Sequence, residues 1–237
     1  MIARWKGVAA LLSMCFTFFV IFKFLLPQIL SGQNPIIAAI MTGVFTVPVT
    51  YYASHGFNLK THSAVLGTLI ALIITSLLAF FAIDYAHLTG LSSEDAAFLT
   101  VMVEGGLNMK GLLLAGIIVG LLGILDDVTV SQAAIVFKLK ENAPHLSFSE
   151  IYTQAMDIGK DHIGSVVNTL VLVYAGAALP FLLLFIVNQQ TLAMGINYEV
   201  ISEEIVRTLV ASIGLMLAVP VTTFIAALQK KITYIAT

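Results

Sequence analysis

The chain has 237 residues, 59% of them hydrophobic and 10% charged, with a formal net charge of −2. A soluble domain carries about 25% charged residues, and the mean hydropathy of +1.01 points the same way, to an integral membrane protein. No basic block suggests nucleic acid as a partner, no separate soluble domain stands out, and the one cysteine, Cys15, excludes an intrachain disulfide framework.

About 20 apolar helical residues cross a bilayer core, and six segments qualify: 8–30, 35–52, 63–83, 111–137, 163–187 and 205–228. The expected fold class is all-α: residues 1–237 form a single transmembrane helical domain embedded in lipid. The first segment follows "MIARWKG" and superficially resembles a signal peptide. Its apolar run continues to Leu30 with no small-residue cleavage site after it, so it is read as a retained span. It carries Lys23, which either snorkels to an interface or faces the bundle.

Loop charges predict the orientation. Arg4 and Lys6 precede the first span, and Lys60 lies between the second and third. Lys138, Lys140 and Lys160 lie between the fourth and fifth, and Lys230 and Lys231 follow the sixth. All four regions fall on one face, the cytoplasmic one, which places both termini on the cytoplasmic side of the cell membrane. The opposite loops, around Glu94 and Glu199, are mostly acidic.

The connection between spans four and five is more than a loop. "SFSE" at Ser147–Glu150 fits a capping box. Phe148, Ile151, Tyr152, Ala155 and Met156 then recur at helical spacing. Two readings fit: an amphipathic helix on the cytoplasmic membrane surface, or a connector packed on the bundle.

The fourth span holds "GLLGILDDVTVSQAAIVF", with Asp126 and Asp127 side by side in an apolar run. A helix starting near Gly111 puts Asp126 about 22 Å along it, at 1.5 Å per residue. No breaker follows, so the helix continues. Charged residues at such depth cost at least about 2.5–3.5 kcal/mol and usually face a cavity or the bundle interior. The pair is therefore a candidate proton or Na⁺ relay facing the bundle interior. The bland reading places it in the headgroup zone beside Lys138 or lipid. Adjacent residues point about 100° apart on a helix, so the two carboxylates cannot share one direction.

Supporting polar contacts are expected from Thr129 on the same helix, from Asn168 and Thr169 on the fifth span, and from Lys23 as a weaker counter-charge. Gly116 and Gly120 form a small-xxx-small pattern that predicts close helix packing, within the bundle or in a homo-oligomer. His55, His62 and His87 are scattered, so no metal site is expected. There is no P-loop and no cofactor motif. "GLLGILDD" is not the arrangement of an intramembrane aspartyl protease, and no enzyme activity is expected.

"RWKG", "HGFNLKTHSAVLGT", "AHLTGLSSEDA", "GLLLAGIIVGLLGILDDVTVSQAA" and "GKDHIGSVVNTLVLVYAGAALPFLLLF" closely resemble the YibE/F-like family of bacterial multispan proteins. That resemblance implies a bacterial cell membrane location and a companion homologue from a two-gene arrangement. The Asp-Asp pattern, the basic stretch, "S-x-x-E" and "LVLVYAGAALPFLL" are more distantly similar to one half of the bundle of resistance-nodulation-division transporters and of SecD/SecF. The resemblance implies an acidic relay at Asp126 and Asp127 and a surface helix before the fifth span. The large domain that follows the first span in those families has no counterpart here, so no substrate carries over.

Overall fold

The structure is a computed structural model that describes residues 4–103, 106–189 and 191–229. Lys230 and Lys231, used above for orientation, lie outside the described residues. The described regular structure is helical. α1 (Arg4–Val20) continues through a π-helical turn, Ile21–Leu25, into α2 (Leu26–Leu30). The turn has a local cause. The ring of Pro27 cannot sit over the carbonyl four residues back, and the Leu26 N–H reaches instead to Ile21 O. Lys23 lies in this turn and is exposed.

The remaining elements are α3 (Pro35–His55), α4 (Leu59–Tyr85), α5 (Glu94–Met102), α6 (Met109–Asn142), α7 (Phe148–Ala177), α8 (Leu179–Val187), α9 (Leu192–Gly195) and α10 (Glu199–Leu228). Short polar residues start most of them by accepting from free backbone N–H groups. Asn34 opens α3, Asn58 α4, Ser93 α5 and Asn108 α6. Ser147 and Glu150 form the expected reciprocal capping box at α7.

Five helices among the described residues are long and apolar enough to cross a membrane, and six if the bent pair α7–α8 counts as one span. The pair bends by 60°. Pro180, in the first turn of α8, supplies no N–H and blocks a straight continuation. The connection between the fourth and fifth spans also differs from expectation. The one-sided segment after Ser147 does not end before a separate fifth span, because α7 runs unbroken from it to Ala177. Its buried stripe, Ile151 and Ala155, packs with Val136, Phe137, Ala226 and Ala227.

α4, α6 and α10 form the centre. α3 packs on α6 and α4, α1 on α3, and α7 on α10 and α6. Burial rises from 12% of the first span to 56% of the last, so α1 is peripheral and α10 central. Buried polar groups tie the centre together. Gln132 Nε2 of α6 donates to Ala155 O at 2.9 Å on α7 and to Thr223 Oγ1 at 2.7 Å on α10. Lys140 is buried, and its ammonium donates to Ala226 O, Ala227 O and Gln229 O at 2.7–2.8 Å, capping α10.

At the other end, Glu199 accepts from the backbone N–H groups of Thr89 and Gly90 and from the Thr89 hydroxyl. This fastens the α4–α5 connection to the start of α10.

Candidate functional site: a carboxylate in a hydroxyl-lined cavity

α6 continues unbroken through the aspartates. Asp126 stands seventeen residues from its start, about 26 Å at helical rise. The two side chains diverge, as adjacent helical positions must. Asp126 is half-buried, and Asp127 is exposed. The expectation that both face the bundle interior therefore needs correcting for Asp127. The roughly 100° step that turns Asp126 toward α3 leaves its neighbour at the open edge of α6.

Asp126 lines a cavity of about 560 Å³ between α1, α3 and α6. The wall opposite α6 is a ladder of hydroxyls. Thr42, Thr46, Thr50 and Ser54 follow at every fourth residue of α3 and all line the cavity. Ser13 and Thr17 face them from α1. Thr42 and Thr50 donate to the carbonyls four residues back, at 2.8 and 2.9 Å. Ser13 Oγ and Ser54 Oγ lie 2.9 Å apart and join α1 to α3. Thr46 Oγ1 is buried and makes no hydrogen bond among the described residues.

Beside Asp126 lies a second set of hydroxyls. Tyr51, Thr68 and Thr129 come from α3, α4 and α6. Their oxygens are separated by 2.7 Å (Tyr51–Thr68), 3.2 Å (Tyr51–Thr129) and 2.6 Å (Thr68–Thr129). Thr129 also donates to Leu125 O at 2.9 Å. It supports the site from behind, through hydroxyls. Tyr51 lines the cavity with Asp126 and joins the two groups.

Asp127 lines this cavity and also a second one of about 680 Å³ between α6 and α7. His162, Thr169 and Tyr174 face it there. Thr169 Oγ1 donates to Ser165 O at 3.0 Å. Asn168 is exposed and is not among the residues lining either cavity. Lys23 is absent from both linings as well. The ion pairs among the described residues are Lys110–Asp84, Lys138–Glu141, Lys160–Asp157 and Arg207–Glu204. Neither aspartate has a cationic partner in these pairs, and Lys138 is engaged elsewhere. No group of three His, Cys, Asp or Glu side chains among the described residues could hold a metal ion.

The packing expected within the bundle is not found at Gly116, and at Gly120 it reduces to a single contact with α7. A Cβ at Gly116 meets nothing within 4 Å, and one at Gly120 meets only the Tyr174 hydroxyl at 3.8 Å. Both lie on the exposed face of α6, together with Gly123, Asp127 and Ser131. The stripe from Gly120 onward borders the cavities that α6 shares with α3 and α7. Close approaches between helices fall elsewhere, among them Gly67 against Thr222, Gly214 against Thr75, Gly43 against Leu72 and Gly159 against Val219.

The ladder and Tyr51 were not singled out from the sequence. Their signal was present in it: Thr or Ser at positions 42, 46, 50 and 54 marks a continuous polar stripe on an apolar helix.

The fold and the site define a polytopic helical membrane protein with a carboxylate set in a polar cavity between its spans. The family model for YibE/F-like proteins matches residues 1–231, and the chain belongs to that family. No curated protein and no solved structure matches it.

Proposed function

We propose that the protein is a membrane transport component in which Asp126, with Asp127 beside it, takes up and releases a proton or Na⁺. The observation that carries this reading is Asp126 itself. It is a half-buried carboxylate on an unbroken apolar helix, facing a hydroxyl-lined cavity, with no ion pair among the described residues. Structural carboxylates in apolar surroundings are normally paired. One left facing a polar cavity suits a group whose charge changes during work.

The similarity to half of a resistance-nodulation-division or SecD/SecF bundle supports the same role and names no substrate. The reading places the chain in a bacterial cytoplasmic membrane with both termini inside, without enzymatic activity of its own. The start of α7 then lies at the cytoplasmic surface.

A second reading is a non-transporting scaffold or accessory subunit of a companion YibE/F-like protein. The exposed stripe Gly116, Gly120, Gly123, Asp127 and Ser131 favours it, since small residues let another helix approach closely.

One measurement separates the two. Proton uptake and Na⁺ binding by purified protein are followed between about pH 5 and 9, in wild type, Asp126→Asn, Asp127→Asn and the double variant. A signal lost in the variants supports the relay. Identical curves for wild type and the double variant leave the scaffold.

A further inference from the structure

We propose that the hydroxyl ladder of α3 is the route by which protons reach Asp126, carried by a file of water that enters beside His55. This deepens the relay reading and rests on it. The ladder spans Thr42 to Ser54, about 18 Å at helical rise, and lies along one face of α3. Asp126 faces it across the cavity. A volume of about 560 Å³ has room for on the order of ten to twenty waters at about 30 Å³ each.

Three observations select water rather than an apolar ligand. The first is the regularity of the hydroxyls, since four successive positions at the same spacing keep polar atoms along the α3 side of the cavity. The second is Thr46. Its hydroxyl is buried, lines the cavity and finds no partner among the described residues. A buried hydroxyl without a partner is costly, and a water in the cavity satisfies it. The third is the mouth. Ser13, Ser54 and His55 lie at the C-terminal end of α3, where His55 is exposed.

The ion is the proton rather than Na⁺. Sodium needs several free oxygens converging on one point, whereas Asp126 and Asp127 diverge, the ladder hydroxyls are strung along the wall, and the three hydroxyls clustered beside Asp126 are engaged with one another. In the transfer, a hydronium at the mouth gives its proton to the file, and the last water gives one to the Asp126 carboxylate. Each water is restored, and no other bond is made or broken. The other titratable groups facing this path are Tyr51 and His55 of α3 and Asp127 of α6, with His162 of α7 across the neighbouring cavity.

The path is tested in the full-length protein with Cys15, the chain's one cysteine, replaced by alanine. Single cysteines are placed at Thr46 and Thr50 on the ladder, and at Val44 and Phe45 on the exposed face of the same helix. A charged thiol reagent needs water around the thiolate, so Thr46→Cys and Thr50→Cys should react at least about tenfold faster than the two controls. Equal rates at Thr46 and Val44 overturn the path.

Thr46→Val with Thr50→Val, otherwise in the native sequence, provides the second measurement. It should slow proton uptake after a pH jump several-fold, while the number of protons taken up stays the same. An unchanged rate also overturns the path. Failure of the relay reading looks different: wild type and Asp126→Asn take up the same number of protons, whatever the labelling shows.

Discussion

Gly67 of α4 lies directly against Thr222 of α10, so that a Cβ on Gly67 would overlap Thr222 Oγ1 and come within 3.2 Å of its Cα. The same relation recurs with roles exchanged. A Cβ on Gly214 of α10 would lie 2.6 Å from Thr75 Cγ2 of α4. The two contacts are separated by eight residues on both helices, so the pair packs as antiparallel ridges with a glycine opposite each threonine. Here the missing Cβ is what sets the helix separation.

Gly67→Ala should therefore destabilise the protein by about 1–3 kcal/mol through overpacking. Thr222→Ala should cost little, because Thr222 Oγ1 makes no hydrogen bond among the described residues. Combining the two should recover part of the loss, since the overlapping oxygen is gone. Thermal unfolding in detergent measures all three variants. Strict additivity would show that the two residues do not press on each other.

Gly116→Leu should behave oppositely. Its Cβ meets open space, so the purified chain should change by no more than about 0.5 kcal/mol, as at other uncovered surface positions. Larger destabilisation would mean that this face of α6 is covered in the isolated protein, for instance by a second copy.

Lys140→Met should cost about 2–3 kcal/mol. The variant removes a buried ammonium from three carbonyls at the end of α10; hydrogen bonds to charged groups are each worth about 1.5–3 kcal/mol net, and relief of the ammonium's desolvation offsets much of their sum. The thioether still packs beside Phe137, so lost volume does not account for the effect. Hydrogen exchange should rise first in the last turns of α10. Exchange that rises evenly along the helix would count against a local cap.

Hydropathy located the spans because length and apolarity alone decide what crosses a bilayer, and five of the six segments correspond to single long helices. Local chemistry was also legible, as Ser147 and Glu150 show. Legibility ended where helices choose partners. Nothing in "GIIVG" distinguishes a glycine that touches a neighbour from one on an open face, and glycines pressed against neighbouring helices include Gly43, Gly67, Gly159 and Gly214. The place of Asp126 along α6 followed from counting residues. The cavity it faces did not, since that depends on the α3 stripe meeting α6 in three dimensions. Lys140, read only as a loop charge, lies folded under α10.

The last prediction sets stability against function at Asp126. A structural carboxylate contributes to the fold through its partners, so replacing it should weaken the protein. A functional one in a half-buried site is retained at a cost. Asparagine keeps its shape and removes the desolvation cost of the charge. Asp126→Asn should therefore be as stable as wild type, or more stable, at neutral pH. The Tyr51 hydroxyl also hydrogen-bonds the Asp126 carboxylate, a contact the asparagine carbonyl can accept in its place, while Tyr51, Thr68 and Thr129 keep the bonds they share among themselves. Asp127→Asn, at the exposed edge of α6, should change stability by less than about 0.5 kcal/mol. Both are measured by thermal unfolding in detergent, alongside proton uptake. Loss of more than about 2 kcal/mol in Asp126→Asn would mark the residue as a structural contact and remove the main support for the relay.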